Sequence, residues 1–220
     1  MMFGQGKYMK GIFFDFDGTL VQSLESMFHV YSLFLSRRGE QASKIEFEKL
    51  NGPPLIEIVR CLKEWRNLPE SNQSLLAEYN NLIDESYLNS PPSAGAIKLI
   101  HEAVKHSYRL VIVTSNKRSR VEAWLALNGL KDTFYLIIDG EDVRNGKPHP
   151  EPYLLALEKS RLCAGNVIAV EDSIQGATSA LQAGLVTYLL TETLDIPQEK
   201  NDFKCIRSLS DLTTSLFSNK

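Results

Sequence analysis

Five short apolar runs, at residues 12–14, 109–114, 134–138, 167–170 and 185–190, set the fold class of this chain. Each has the length of a strand and is apolar over most of its length instead of at alternate positions. Such runs belong in a sheet covered on both faces. Between them lie stretches with apolar residues at helical spacing, at 96–106, 119–128, 152–160 and 176–183. Gly129 and Gly184 follow two of these stretches, where a glycine commonly closes a helix. Strand and helix in alternation predict an α/β fold, a doubly wound parallel sheet with helices on both sides. Ligands of such sheets bind beyond the carboxyl ends of the strands.

One gap breaks the rhythm. Between Leu20 and Ser90 there is no strand-like run. Residues 24–36, 47–50, 55–65 and 75–88 carry apolar side chains at helical spacing instead. Asn51-Gly52-Pro53-Pro54 and Asn67-Leu68-Pro69 punctuate them, and Ser90-Pro91-Pro92 closes the region. The spacing predicts a core domain of residues 1–21 and 91–220 and an inserted α-helical domain of residues 22–90. An insert that leaves and re-enters beside the first strand can cover its end like a lid. The tail, 202–216, ends in one more amphipathic helix from about Leu209. There is no internal repeat and no low-complexity tract.

The first strand ends abruptly in Asp15-Phe16-Asp17-Gly18. Side chains two apart on a strand share a face, so Asp15 and Asp17 can point the same way. Gly18 then allows a sharp turn. Two adjacent acids repel each other and resist desolvation, so the pair calls for a cation or a shared proton. Three further polar clusters follow the other strands. Thr114, Ser115 and Asn116 end the second, Lys147 follows the third, and Glu171 and Asp172 end the fourth. All four clusters are therefore expected at one edge of the sheet.

That set of groups suits phosphoryl transfer. Asp15 is the candidate nucleophile, forming an aspartyl phosphate. Asp17 is the candidate acid for the leaving oxygen and then base for the attacking water. Asp172, with Asp15 and Glu171 as a further candidate, offers hard oxygen ligands that suit Mg²⁺. Ser115 can hydrogen-bond the phosphoryl group, and Lys147 can offset its charge and that of the acids. Each cluster alone has a plainer reading. Thr-Ser-Asn is turn chemistry, a loop lysine is usually solvated, and Glu-Asp-Ser commonly caps a helix. Their order at four successive strand ends argues against four accidents.

Composition narrows the partners. The net charge is −3, and residues 22–90, with 7 Lys+Arg against 10 Asp+Glu, account for all of it. No basic footprint for nucleic acid and no membrane-binding face stands out. No apolar run approaches the length of a membrane span, and residues 1–10 lack a signal-peptide core. Cys61, Cys163 and Cys205 are widely spaced with no CxxC and are expected as reduced, buried thiols of a cytoplasmic protein. His29, His101, His106 and His149 show no metal-ligand spacing, and only His149 lies near the proposed site. Trp65 and Trp124 fall on apolar helix faces and are assigned to the core. The expected partner is a small molecule, and the chain is expected as a monomer or homodimer.

The motifs match a known family. The chain resembles the haloacid dehalogenase-like hydrolases (HAD-like, with a Rossmannoid core), in the branch with a helical cap after the first strand. Phe14-Asp15-Phe16-Asp17-Gly18-Thr19-Leu20 is similar to the first motif and Val113-Thr114-Ser115-Asn116 to the second. Residues 146–152, Gly-Lys-Pro-His-Pro-Glu-Pro, are similar to the third. Val170-Glu171-Asp172-Ser173-Ile174-Gln175-Gly176 is similar to the fourth. The resemblance implies a nucleophile at Asp15 and an acid/base at Asp17. It also implies Mg²⁺ held by Asp15, Asp172 and the backbone carbonyl of Asp17. In the second motif Ser115 is the favoured phosphate contact, with Thr114 the alternative and Asn116 beside them. The 51–54 loop, with Gly52, resembles a substrate-facing loop, and Arg60 is a candidate for a second anionic group. Gln22 and Ala94 depart from the family pattern at the insert's two ends, away from the proposed chemistry. The implied function is Mg²⁺-dependent hydrolysis of a small phosphorylated metabolite. The alternative is a β-phosphoglucomutase-like phosphomutase using the same aspartate.

Overall fold

A computed structural model describes residues 9–50, 55–191 and 202–218. The chain divides into two compact units, residues 1–22 with 91–220, and residues 23–90. The first unit is built on six parallel strands. They are β1 (Gly11–Phe14), β2 (Arg109–Val113), β3 (Leu136–Ile138), β4 (Val167–Glu171), β5 (Val186–Leu190) and β6 (Lys204–Ile206). Their order across the sheet is β3-β2-β1-β4-β5-β6. The chain winds outward from β1 to β3, returns to the centre at β4, and winds out the other way. The switch point lies between β1 and β4, where ligands of such sheets bind.

Burial explains why the runs form strands. Ile12, Phe13 and Phe14 are completely buried, as are Val111, Ile112 and Val113. Each such side chain stabilises the fold by about 1.5–3 kcal/mol relative to exposure. The strand period of two sorts them. Phe13, Val111, Val113 and Ala169 join one cluster with Tyr153 and Ala156 of α7 (Glu151–Ser160) and Ala180 of α8 (Ile174–Gln182). Ile12, Phe14 and Ile112 alternate with them and so point to the other face. α5 (Ala96–Lys105) packs on β2 and against α9 (Leu209–Phe217). Trp124 of α6 (Arg118–Leu127) is buried and meets Phe16 edge-on, ring centroids 5.3 Å apart.

The register places the acids. Phe13 pairs with Ala169 and Phe14 with Val170. Asp15 continues this ladder, its N–H donating to Val170 O at 2.9 Å. Asp15 and Glu171 therefore follow Phe13 and Ala169 by two residues each and share their face, the side of α7 and α8.

The second unit contains α1 (Ser23–Ser36), α2 (Lys44–Lys49), α3 (Leu55–Arg66) and α4 (Asn72–Asn89). Its core is formed by Val30, Tyr31, Phe34 and Leu35 with Val59, Leu62, Leu75, Tyr79, Leu82 and Ile83. Ion pairs tie its helices together. Arg38 meets Glu70 and Glu78 at 2.9 and 2.6 Å, and Arg66 meets Glu40 and Glu46 at 3.1 and 2.9 Å.

Several expectations need correction. β6 has no counterpart in the sequence reading. Trp65 is 45% exposed instead of buried. The cysteines are free thiols, but Cys163 is exposed and Cys61 and Cys205 are half-buried. Among the described residues no helix is long and apolar enough to cross a membrane.

Candidate active site

β1 delivers Asp15 to the carboxyl edge of the sheet, and the following loop folds back sharply. Leu20 and Val21 N–H both donate to Phe16 O, and Gly18 N–H donates to Val21 O. Gly18 has φ +74, and a Cβ there would overlap the Asp172 carboxylate. Only glycine serves both needs, so the loop after β1 and the end of β4 can close on each other.

Lys147 reaches the same place from the loop after β3. Its Nζ lies 2.6 Å from Asp15 Oδ1 and 2.5 Å from Glu171 Oε1. It also donates to Val113 O at 2.9 Å. Three acceptors match the three hydrogens of an ammonium. The loop is pinned on both sides. Glu151 accepts from the N–H groups of Arg144 and Asn145, and Ser179 of α8 donates to His149 O at 2.6 Å. The Lys147–Pro148 peptide bond is cis.

Glu171 is completely buried. Tyr153 Oη donates to its Oε1 at 2.6 Å, and Ser173 Oγ lies 3.4 Å from its Oε2. Ser173 also caps α8, accepting from Gly176 N at 3.0 Å. Of Glu171-Asp172-Ser173, the helix cap therefore falls to Ser173 alone, which leaves the two acids at the sheet edge. Asn116, placed by the sequence beside the favoured phosphate contact and a candidate for substrate binding with it, has its amide engaged within the protein. Its Nδ2 donates to Asp17 Oδ2 at 2.9 Å, and its Oδ1 accepts from Lys117 N at 2.8 Å. Thr114 is buried, and its Oγ1 accepts from Asn116 N at 3.0 Å, whereas Ser115 is exposed.

Electrostatics follow from this crowding. Burial pushes the Asp15 carboxyl well above the usual carboxylate range. Lys147 opposes that, and the charges of Glu171, Asp172 and Asp17 add to it. Burial acts against the Lys147 ammonium, but Asp15 and Glu171 outweigh it and hold the proton on. Asp172 reaches solvent but is hemmed in by protein. Desolvation, then the charge of Glu171, pushes its carboxyl up to about 7 against the pull of Lys147. Asp15, Glu171 and Asp172 each offer an oxygen within 4.8 Å of the others. Among the described residues, the carboxyl groups of Asp15, Asp17, Glu171 and Asp172 gather around the Lys147 ammonium. This excess of hard oxygen donors fits a hard divalent cation.

The structure thus brings together Asp15, Asp17, Asn116, Lys147, Glu171 and Asp172. Arg60 is exposed on α3 of the other unit, beside Asn72 and Gln73. Gly52 lies outside the described residues.

A family model described as haloacid dehalogenase-like hydrolase matches residues 12–190. The chain belongs to this family. It is therefore an enzyme of the haloacid dehalogenase-like hydrolase class, and its relatives are named as phosphatases. It is 26% identical to the pyrophosphatase PpaX of Oceanobacillus iheyensis, over 94% of this chain and 96% of the relative. It is 27% identical to hexitol phosphatase A of Escherichia coli, over 94% of each. In structure it resembles a putative β-phosphoglucomutase from Thermotoga maritima, with a TM-score of 0.86 and 21% identity. That match covers 96% of this chain and all of the other, and it speaks to the fold alone.

Two contacts of this hydrolase lie beyond the sequence reading. Tyr153 sits at a helix position that reads as core, with no sign of its hydroxyl's partner. The Asn116–Asp17 contact joins residues far apart in sequence, and only the shared sheet edge hints at it.

Proposed function

We propose that this hydrolase is a Mg²⁺-dependent phosphatase that cleaves a small phosphomonoester through an aspartyl phosphate on Asp15. The observation that carries the reading is the position of Asp15. It lies at the switch point, 2.6 Å from Lys147, with Glu171 and Asp172 oxygens in reach of a common cation.

One Asp15 oxygen attacks phosphorus as the bond to the leaving oxygen breaks, and Asp17 gives that oxygen a proton. Asp17, steadied by Asn116, then takes a proton from water. The water oxygen attacks phosphorus, the bond to Asp15 breaks, and phosphate leaves. Lys147 offsets the charge that builds on the phosphoryl oxygens. Asp15, Asp172 and the Asp17 carbonyl would hold Mg²⁺, with Glu171 alongside. When bound, Mg²⁺ neutralises phosphoryl charge and favours ionised Asp15. At the end of β2, Ser115 or Thr114 supplies a hydroxyl to the phosphoryl group.

The helical unit, residues 22–90, serves in this reading as a cap that selects the substrate through the 51–54 loop with Gly52, and through Arg60. The names of the relatives support a small phosphorylated substrate. A phosphomutase needs a firm cationic anchor for a second phosphate. Arg66, Arg37 and Arg38 of the helical unit are paired with its own acids, and Lys63 donates to Glu70 O. Their engagement counts against these four residues as that anchor and leaves Arg60 as the candidate contact for an anionic group of the substrate.

The test is phosphate release from a panel of sugar phosphates, phosphoglycolate, nucleoside monophosphates and pyrophosphate, with and without Mg²⁺. Mg²⁺-dependent release that Asp15→Asn abolishes is expected. Undiminished release by Asp15→Asn overturns the mechanism. Interconversion of sugar phosphates without release selects the mutase.

A further inference from the structure

We propose that Tyr153 is a positioning residue: its hydroxyl fixes Glu171, which in turn fixes Lys147 against Asp15 and stays out of the cation's coordination. This rests on the active-site reading above. Tyr153 is completely buried on α7, and its Oη meets Glu171 Oε1 at 2.6 Å. The same oxygen takes Lys147 Nζ at 2.5 Å. Two donors on one oxygen fill its lone pairs. The other oxygen faces Ser173 Oγ. Gly176 packs against the carboxylate so closely that a Cβ there would overlap both oxygens. Glu171 is therefore hydrogen-bonded by Tyr153, Lys147 and Ser173 and walled in by the first turn of α8.

Glu171 otherwise has the reach to join Asp15 and Asp172 as a third carboxylate on a cation. The choice between ligand and lysine anchor is set by which way its oxygens face. The Tyr153 hydroxyl is the neutral donor that holds Oε1 towards Lys147. The Tyr153 ring also lies under the ammonium, with its centroid 5.5 Å from Nζ. Phenylalanine keeps that ring and removes only the hydroxyl.

The experiment uses the full chain with Tyr153→Phe, Glu171→Gln, the double variant and Asp15→Asn. Mg²⁺ binding to the phosphate-free protein is measured by calorimetry, and kcat and KM separately by phosphate release. Tyr153→Phe is expected to lower kcat about tenfold with KM within about twofold, the size typical of groups that orient a metal site's residues. Freed Glu171 adds a carboxylate, so Mg²⁺ should bind at least about threefold tighter. In the Glu171→Gln background the Tyr153→Phe change should have no further effect, because the two residues act in series. Unchanged kcat and Mg²⁺ affinity in Tyr153→Phe, additive losses in the double variant, or a Phe variant that does not fold would each overturn the inference. Asp15→Asn separates the two levels. If it is inactive while Tyr153→Phe behaves as wild type, only the role of Tyr153 falls; if it stays active, the active-site reading falls first.

Discussion

Asp172 is the residue whose protonation couples the site to the stability of the whole chain. Its carboxyl, pushed up to about 7, binds its proton more tightly in the folded protein than in the unfolded one. The stability this contributes is complete below the ordinary carboxylate range and is lost as pH rises through about 7. Asp15 is shifted in the same direction. The metal-free protein should therefore lose stability as pH rises from about 5 to 8. Mg²⁺ binds the ionised carboxylates, so its affinity should climb over the same window and its presence should flatten the loss. Melting curves in chelator and in saturating Mg²⁺ across that range check this. A metal-free midpoint that rises with pH, or a Mg²⁺ shift of equal size at every pH, would contradict the assignment.

At the scale of elements, the junction of β4 and α8 joins packing to chemistry. Ser173 caps the helix, and Gly176 in its first turn makes room for Glu171. Alanine at 176 gains up to about 1 kcal/mol in helix propensity. Forcing a methyl into a filled space costs about 1–3 kcal/mol. The clash falls on a walled-in carboxylate, so the second effect should win. Gly176→Ala should lower the urea midpoint and reduce turnover at least about tenfold by displacing Glu171 from Lys147. A variant that is both more stable and fully active would show that Glu171 adjusts freely. This junction was legible in sequence, because the apolar run at 167–170 and the acids after it announce a strand end. β6 was not. Lys204-Cys205-Ile206 is three residues long and pairs on one side only, with β5, so it lacks the continuous apolar signal of a central strand. Trp65 misled for the opposite reason, since helical spacing marks a face and leaves open what covers it. Asp15, Lys147 and Asp172 could be read from strand ends. Tyr153 and the Asn116–Asp17 contact could not, because hydrogen bonds between distant side chains leave no periodic trace.

On the scale of the whole molecule, each unit carries its own core and its own tryptophan. Trp124 lies in the sheet unit at 1% exposure and Trp65 in the helical unit at 45%. The candidate cation ligands all belong to the sheet unit. A ligand stabilises only the structure whose unfolding releases it, by about 2.7 kcal/mol at a hundred times its dissociation constant. The helical unit has separate supports in its aromatic core and in the pairs of Arg38 and Arg66 with their glutamates. If its unfolding is uncoupled from that of the sheet unit, Mg²⁺ should move one transition and leave the other. The Trp65→Phe protein reports on Trp124 and the Trp124→Phe protein on Trp65, each unfolded in urea with and without Mg²⁺. The expected result is a Trp124 transition that shifts to higher urea with Mg²⁺ while the Trp65 transition stays in place. Two transitions that move together would show instead that the units fold as one cooperative body, and that cation binding at the sheet edge is felt throughout the helical unit.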